Sequence, residues 1–332
     1  MRAALELLAR VPWALYGLCG FSLGLAMYFL GVLLVFPRYL LGLDWLLHPV
    51  SEWLVWYSGL PIVFGMALVL GDLLLLLSLK RTTEEVRWHE PDDRPVTVAL
   101  TAYNDEASIG DAVRDFLAHP AVARVIVVSN ASVDGTMQAA AAAGAEVHDE
   151  RNKGYGHCVY RCLMEALAAP DDGPVVLCEG DSTFRARDID KLLAYAPHAD
   201  VVNGTRTVER LRQPVTQLTT FMYYGNVFVG KLLEAKHVGR CTITDVGTTY
   251  KLCQREPLRH LLTVVNPAIN LEFNAHFLDT ALQEGLVVVE CPITFHPRVG
   301  VSKGGNVNNG RAVRVGLRMM AGIIGGWEKR TS

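Results

Sequence analysis

The stretch from Pro174 to Phe184, PVVLCEGDSTF, decides how this chain is read. Val175 to Cys178 is a short apolar run bounded by turn residues, the pattern of a strand covered on both faces. It ends in Glu179-Gly180-Asp181. Side-chain alternation along a strand points these two carboxylates the same way. They repel each other unless a cation sits between them. A hard divalent ion, Mg²⁺ or Mn²⁺, suits such a pair and commonly also holds substrate phosphates. The expectation is a metal and diphosphate site at the carboxyl end of a parallel strand, where open α/β sheets bind their ligands. The alternative is an acidic turn, because Gly-Asp-Ser is ordinary turn chemistry.

Working upstream, strand and helix patterns alternate. Val96 to Leu100 reads as a buried strand with an exit loop over 101–106. Ser108 to Ala118 has helical period, with Ile109, Val113, Phe116 and Leu117 on one side. Val125 to Val128 is the next strand, followed by a loop over 129–136 and an Ala-rich helix ending at Gly144. Ala145 to Val147 is a short strand, and Tyr160 to Ala168 a helix before the central strand. This order predicts an α/β three-layer sandwich with a mostly parallel sheet and right-handed crossovers. No GxGxxG follows the first strand, which argues against a dinucleotide fold of the usual type.

Further upstream the chain becomes apolar. No charged residue occurs from Val11 to Phe36, and a second apolar stretch runs from Trp53 to Leu79 with one acid, Asp72. A spanning helix needs about 20 such residues, so two transmembrane helices are expected, about 11–36 and 53–79. An acid at such a depth is a functional candidate by default, but Lys80-Arg81 lies within reach as an interfacial partner. Pro37 to Glu52 reads as an interfacial hairpin. Arg2, Arg10, Lys80, Arg81 and Arg87 flank the outer ends, which predicts a multi-pass cell-membrane protein with both ends cytoplasmic. Over 332 residues the net charge is −3, so nothing points to nucleic acid as a partner. Seven scattered cysteines without a CxxC pair exclude a disulfide framework or a zinc site.

Downstream, four segments carry chemistry. They are Thr101-Ala102-Tyr103-Asn104-Asp105-Glu106, Asp134-Gly135-Thr136, Glu179-Gly180-Asp181, and the run from Cys291 to Lys303, CPITFHPRVGVSK. The last suits phosphate: Arg298 offers a planar fork, Lys303 a point charge and Ser302 a hydroxyl. Asn152 to Gly156 is a Gly-rich turn opening a helix, where Lys153 and Gly154 suit an anion. Together these segments resemble the family 2 glycosyltransferases of the GT-A fold, and within them the dolichyl- or polyprenyl-phosphate sugar synthases. The resemblance covers about Val96 to Lys303.

It implies a nucleotide-sugar donor, UDP- or GDP-linked, a divalent metal, and inversion at the anomeric carbon. Thr101, Tyr103, Glu106, Asp134, Lys153, Gly154 and Glu179 are the expected donor-binding residues. Asp181, Glu179 and Thr183 are the expected metal ligands, with Ser129-Asn130 standing where the family has an aspartate pair. Asp245, in the segment DVGTTYK, is the expected acceptor-side acid. Phe273, Asn274 and His276 align with a family motif whose glutamate is absent here, and Glu272 is placed to replace it. With Arg298 and Lys303, these complete the expected catalytic set of Asp245, Glu272, His276, Arg298 and Lys303.

The implied acceptor is a polyprenyl phosphate, which is already an anion and needs no base. A lipid or glycan hydroxyl is the alternative and needs one, for which His276 is suited by its near-neutral pKa. A non-catalytic membrane scaffold is the third reading. The expected organisation is a membrane anchor over 1–90, a cytoplasmic catalytic domain over 91–305 and a basic amphipathic membrane-surface helix over 306–332. Thr216 to Lys231 reads either as a second interfacial helix or as a core helix.

Overall fold

A computed structural model describes residues 2–81, 85–91, 93–300 and 309–328. The chain divides into two units. One comprises Met1–Glu84 with Leu232–Arg240, the other Glu85–Lys231 with Cys241–Ser332.

The first unit is helical: α1 (Arg2–Ala9), α2 (Trp13–Leu33), α3 (Val35–Leu40), α4 (Asp44–Tyr57), α5 (Gly59–Gly71), a π-helical turn over Asp72–Leu76, and α6 (Leu77–Lys80). Two continuous helical stretches, Trp13–Leu40 and Asp44–Lys80, have mean hydropathies of 2.2 and 2.5 and are long and apolar enough to cross a membrane. The expected hairpin over Pro37–Glu52 is shorter than its sequence suggests. Only 41–43 separates the helices, because Pro37 falls in the first turn of α3, where a missing N–H costs nothing. The helices α2 and α5 meet backbone to backbone: a Cβ on Gly65 would stand 2.5 Å from the Gly17 carbonyl oxygen. Small residues are what allow such an approach between apolar helices. Asp72 is buried and ion-paired with Lys80, whose Nζ lies 2.6 Å from Oδ1. The Ala14 N–H also donates to Asp72 (2.8 Å), and Lys80 donates to the Val11 carbonyl (2.9 Å). The acid and its cation thus close the end of the helical hairpin.

The second unit is built on seven strands: β1 (Val96–Ala102), β2 (Val122–Asn130), β3 (Glu146–Glu150), β4 (Val175–Glu179), β5 (Val201–Thr205), β6 (Lys251–Cys253) and β7 (Val288–Pro292). Their order is β3-β2-β1-β4-β6-β5-β7. All pairings are parallel except those of β6, which runs antiparallel to β4 and β5. The helices are α7 (Glu106–Leu117), α8 (Thr136–Ala142), α9 (Tyr155–Ala168), α10 (Ile189–Tyr195), α11 (Thr220–Lys236), α12 (Arg255–Val264), α13 (Phe273–Gln283) and α14 (Asn309–Gly325).

Every residue of β1 is buried, as a strand covered on both faces requires. Val98, Leu100, Val127 and Val176 pack with Ile109, Val113 and Phe116 of α7, while α9 packs against β1, β2 and β4. Parallel pairing brings the carboxyl ends of β1, β2 and β4 to one edge: Thr101 pairs with Val128 on one side and with Glu179 on the other. The helix α9 begins at Tyr155, five residues earlier than its period suggests, so the Gly-rich turn abuts it directly. Arg87, expected as a positive membrane flank, instead forms a forked pair with Asp200 (2.7 and 2.8 Å).

The first turn of α9 passes so close to the segment before α13 that a Cβ on Gly156 would lie 1.9 Å from the Ile269 carbonyl oxygen. Gly156→Ala should cost about 1–3 kcal/mol through overpacking, lowering the thermal midpoint of the purified protein. Gly225→Ala, with nothing within 4 Å of the added methyl, should leave it nearly unchanged.

Candidate active site

The turn after β4 sets the site. Gly180 is required there, because a Cβ would stand 2.3 Å from Ile109 Cδ1. Ser182 follows at φ +64°, a left-handed conformation uncommon outside glycine. This tight turn aims Asp181 back over the strand ends. The Thr183 N–H and hydroxyl both donate to Asp181 Oδ1 (3.0 and 2.6 Å). The other oxygen, Oδ2, is ion-paired with Arg298 (2.9 Å), whose second guanidinium nitrogen reaches Asp105 (2.6 Å). Burial by itself lowers the pKa of Arg298. Asp181, Asp105 and Glu179 more than offset this and raise its pKa above the ordinary arginine value.

Glu179 does not point at Arg298. It accepts from the Thr249 hydroxyl (2.6 Å), which contacts the Tyr155 hydroxyl (2.5 Å), which in turn accepts from Asn274 (2.9 Å). Burial, helped by the charge of Asp181, pushes Glu179 up to about 7. Asp181 with Glu179 and Thr183 could hold a divalent ion. Among the described residues there is no group of three or more His, Cys, Asp or Glu able to do so. Two carboxylates with a hydroxyl are a donor set that fits Mg²⁺ or Mn²⁺, which takes one or two carboxylates and completes its shell with water and substrate phosphates. It does not fit an all-protein metal cage.

A cavity of about 550 Å³ opens over this edge. Its polar end is lined by Thr101, Tyr103, Lys153, Gly154, Asp181 and Arg298. Gly154 has φ +142°, which only glycine adopts readily, and its N–H donates to Asn130 Oδ1 (2.9 Å). The other end is apolar, lined by Leu218 just before α11, by Phe221 and Met222 of α11, and by Val315, Met319 and Met320 of α14. The helix α14, expected only on a membrane surface, is thus a wall of the cleft. Val313 and Leu317 of this helix also line the cleft while remaining exposed.

Several expected site residues lie elsewhere. Glu106 Oε2 accepts from the Gly135 N–H (3.0 Å), and Asp134 accepts from the Thr136 N–H and hydroxyl. The two acids fasten one loop to the next and do not line the cleft; the acid that does is Asp105. Asp245 is fully buried behind the site. It receives a forked pair from Arg206 (2.7 and 2.8 Å), a bond from Asn226 (2.6 Å) and the N–H groups of Arg206 and Gly247. Burial would raise its pKa, but Arg206 overrides this and holds it down to about 2. Asp245 positions Arg206, which faces the cleft and lies over the Phe295 ring at 5.2 Å.

His276 is no base for this cleft. Its Nε2 accepts from the Asn266 N–H (2.9 Å), its ring meets Trp327 at 5.2 Å, and burial pushes its pKa down to about 4. Glu272 is also buried away from the cleft, with Arg318 at 3.5 Å. Lys303 lies outside the described residues. Sequence reasoning missed Arg206, Tyr155 and Thr249 as site residues. Arg206 had a usable signal: it directly follows a strand, VVNGT, in a chain whose other strand ends carry chemistry.

Residues 91–282 match a family model described as glycosyltransferase like family 2. The glycosyltransferase AglJ of Haloferax volcanii is 25% identical over 63% of this chain and 65% of its own, so the match spans just under two thirds of that relative. A dolichyl-phosphate hexose transferase of the same organism is 26% identical over 63% of this chain and 86% of its own. Among solved structures, glucosyl-3-phosphoglycerate synthase from Mycobacterium tuberculosis, in complex with Mn²⁺, UDP and phosphoglyceric acid, superposes with a TM-score of 0.53. It is 19% identical and covers 73% of this chain and 86% of that one. With the family model spanning more than half of its length and a GT-A-like sheet carrying the cleft, this chain belongs to the glycosyltransferase-like family 2.

Proposed function

We propose that this protein moves a sugar from a nucleotide-sugar to a polyprenyl phosphate at the cytoplasmic face of a membrane spanned by its two N-terminal helical stretches. The observation that carries the acceptor reading is the two-ended cleft, with charged residues on the sheet edge and an apolar channel between α11 and α14. A polar head on a long isoprenoid matches both ends, whereas a soluble sugar acceptor has no use for the apolar one. The relative named as a dolichyl-phosphate hexose transferase supports the same class of acceptor.

In this reading Thr101, Tyr103 and Lys153 receive the nucleotide. Asp181, with Glu179 and Thr183, would hold Mg²⁺ or Mn²⁺, and a neighbour of the same fold is in complex with Mn²⁺ and UDP. When bound, the ion offsets the negative charge that develops on the leaving diphosphate. Arg298 adds a positive charge beside that diphosphate. Arg206, locked by Asp245, presents a charged fork to the acceptor phosphate. That phosphate oxygen is already an anion, so attack in line with the leaving group needs no base and inverts the anomeric carbon. Among the described residues the cleft is lined by no histidine. Arg311, Arg314 and Arg318, with exposed Val313 and Leu317 that also line the cleft, suit α14 to an anionic bilayer surface.

A hydroxyl acceptor remains the competing reading through one cleft-lining group, Glu179, which would then serve as general base and leave the ion to Asp181 and Thr183. Product chemistry separates the two. Membranes carrying the protein, given UDP- and GDP-sugars and a polyprenyl phosphate, should form a glycolipid whose sugar mild acid releases. An acid-stable glycoside would replace the phosphate acceptor with a hydroxyl.

Single variants test the same division. Arg206→Ala should raise the KM for the lipid phosphate about tenfold or more, with the donor KM little changed, because a charge-assisted contact is lost on the acceptor side only. His276→Ala should keep turnover per folded molecule within about twofold, where loss of a true base would cost about 10²–10⁴-fold. The same variant should unfold more readily, since the Asn266 N–H loses its acceptor. A hundredfold drop in turnover for His276→Ala would restore it as a base.

A further inference from the structure

Asp181 has two carboxylate oxygens, and both are engaged. Thr183 takes Oδ1 with two short bonds from within its own turn. Arg298 takes Oδ2 from a different segment of the chain, the one after β7. The Thr183 contacts are local and can persist with a cation on the other oxygen. The Arg298 contact is weakened, because a cation on Oδ2 and a guanidinium 2.9 Å from the same atom repel each other as like charges.

The rest of the arginine is poised for such an exchange. Its second nitrogen is anchored on Asp105 at 2.6 Å, so it can leave Asp181 without leaving the site. Asp105 is itself fixed, accepting from the Tyr103 N–H (3.0 Å) while its own N–H donates to the Thr136 hydroxyl (2.8 Å). Arg298 Nε is buried and has no hydrogen-bond partner among the described residues, so the guanidinium is incompletely satisfied where it stands.

We infer that Arg298 is an internal counter-cation for Asp181 that competes with the divalent metal, so that metal entering with the donor diphosphate displaces the guanidinium and delivers it to that diphosphate. This rests on the proposed metal role of Asp181. Its consequence is an order of events. The free protein binds the bare ion weakly, because the carboxylate is already neutralised. It binds the ion well with a nucleoside diphosphate, which offers the displaced arginine a new anion. The two ligands are thereby coupled through one side chain, and the coupling is reciprocal.

The test is Mn²⁺ binding to the purified full chain, read by the loss of free-ion electron paramagnetic resonance signal, with and without UDP and with no sugar transfer involved. Arg298→Gln should tighten binding of Mn²⁺ alone about tenfold, the scale on which a neighbouring opposite charge acts. It should also shrink the enhancement that UDP confers. Arg298→Lys, which keeps the charge, should stay near the wild type, and Arg298→Ala should follow the glutamine variant should that one fold poorly. Unchanged or weaker Mn²⁺ binding in both neutral variants would overturn the exchange. Asp181→Asn is the control on the underlying reading. If it binds Mn²⁺ as the wild type does, the metal assignment itself fails, whereas loss of binding there with no gain at Arg298 removes the exchange alone.

Discussion

A parallel strand buried on both faces has nowhere along its length to put a charge. In β4 the four residues Val175 to Cys178 are sealed between layers, and the polar groups of that segment fall at its end. The neighbouring strands β1 and β2 obey the same constraint and end at the same edge. This converts a requirement of burial into a site. Thr101, Asn130, Glu179 and Asp181 converge because the sheet that holds them excludes them from its interior.

Gathering carboxylates at one edge creates an electrostatic debt that the fold must settle. Here two arginines from distant segments do so, in different ways. Arg206 is sealed against Asp245 with every carboxylate oxygen of its partner in use, and Asp245 is held near pKa 2. A pair satisfied to that degree is a fixed fitting. Arg298 bridges two acids with one nitrogen each and leaves Nε unpartnered. The contrast separates a cation that stays from one that can be exchanged, and it follows from counting hydrogen bonds rather than charges.

The second feature of the cleft is its change of character over a short distance. The polar end is made of loops after strands, whereas the apolar end is made of two helices whose side chains reach inward from α11 and α14. Neither helix is hydrophobic all round. The three arginines at 311, 314 and 318 keep α14 from being a span in its own right while its inner face contributes Met319 and Met320 to the wall. A mixed surface of this kind is what the proposed acceptor, an anionic head on a hydrocarbon tail, requires.

The sequence by itself determined whatever depends on local period and composition. The two apolar helical stretches, the alternation of strands and helices, the acid turn after β4 and the family resemblance were all legible. Each is written in neighbouring residues, where burial period and turn chemistry act. Even so, helix starts moved, as at Tyr155, whose N–H is satisfied by Asn270 Oδ1 from a distant segment. Only the tertiary structure decided which polar side chains face the cleft. Glu106 and Asp134 look like ligand contacts in sequence, yet each is consumed by the turn between β2 and α8. Asp245 resembles an acceptor-side acid until its partner, 39 residues upstream, takes both of its oxygens. His276 resembles a base until the Asn266 N–H occupies its ring nitrogen. Arg206 belongs to none of the motifs, and only its place directly after a strand marks it. The direction of a side chain and the partner that spends its lone pairs are set by contacts between segments far apart in the chain, and no local pattern encodes them.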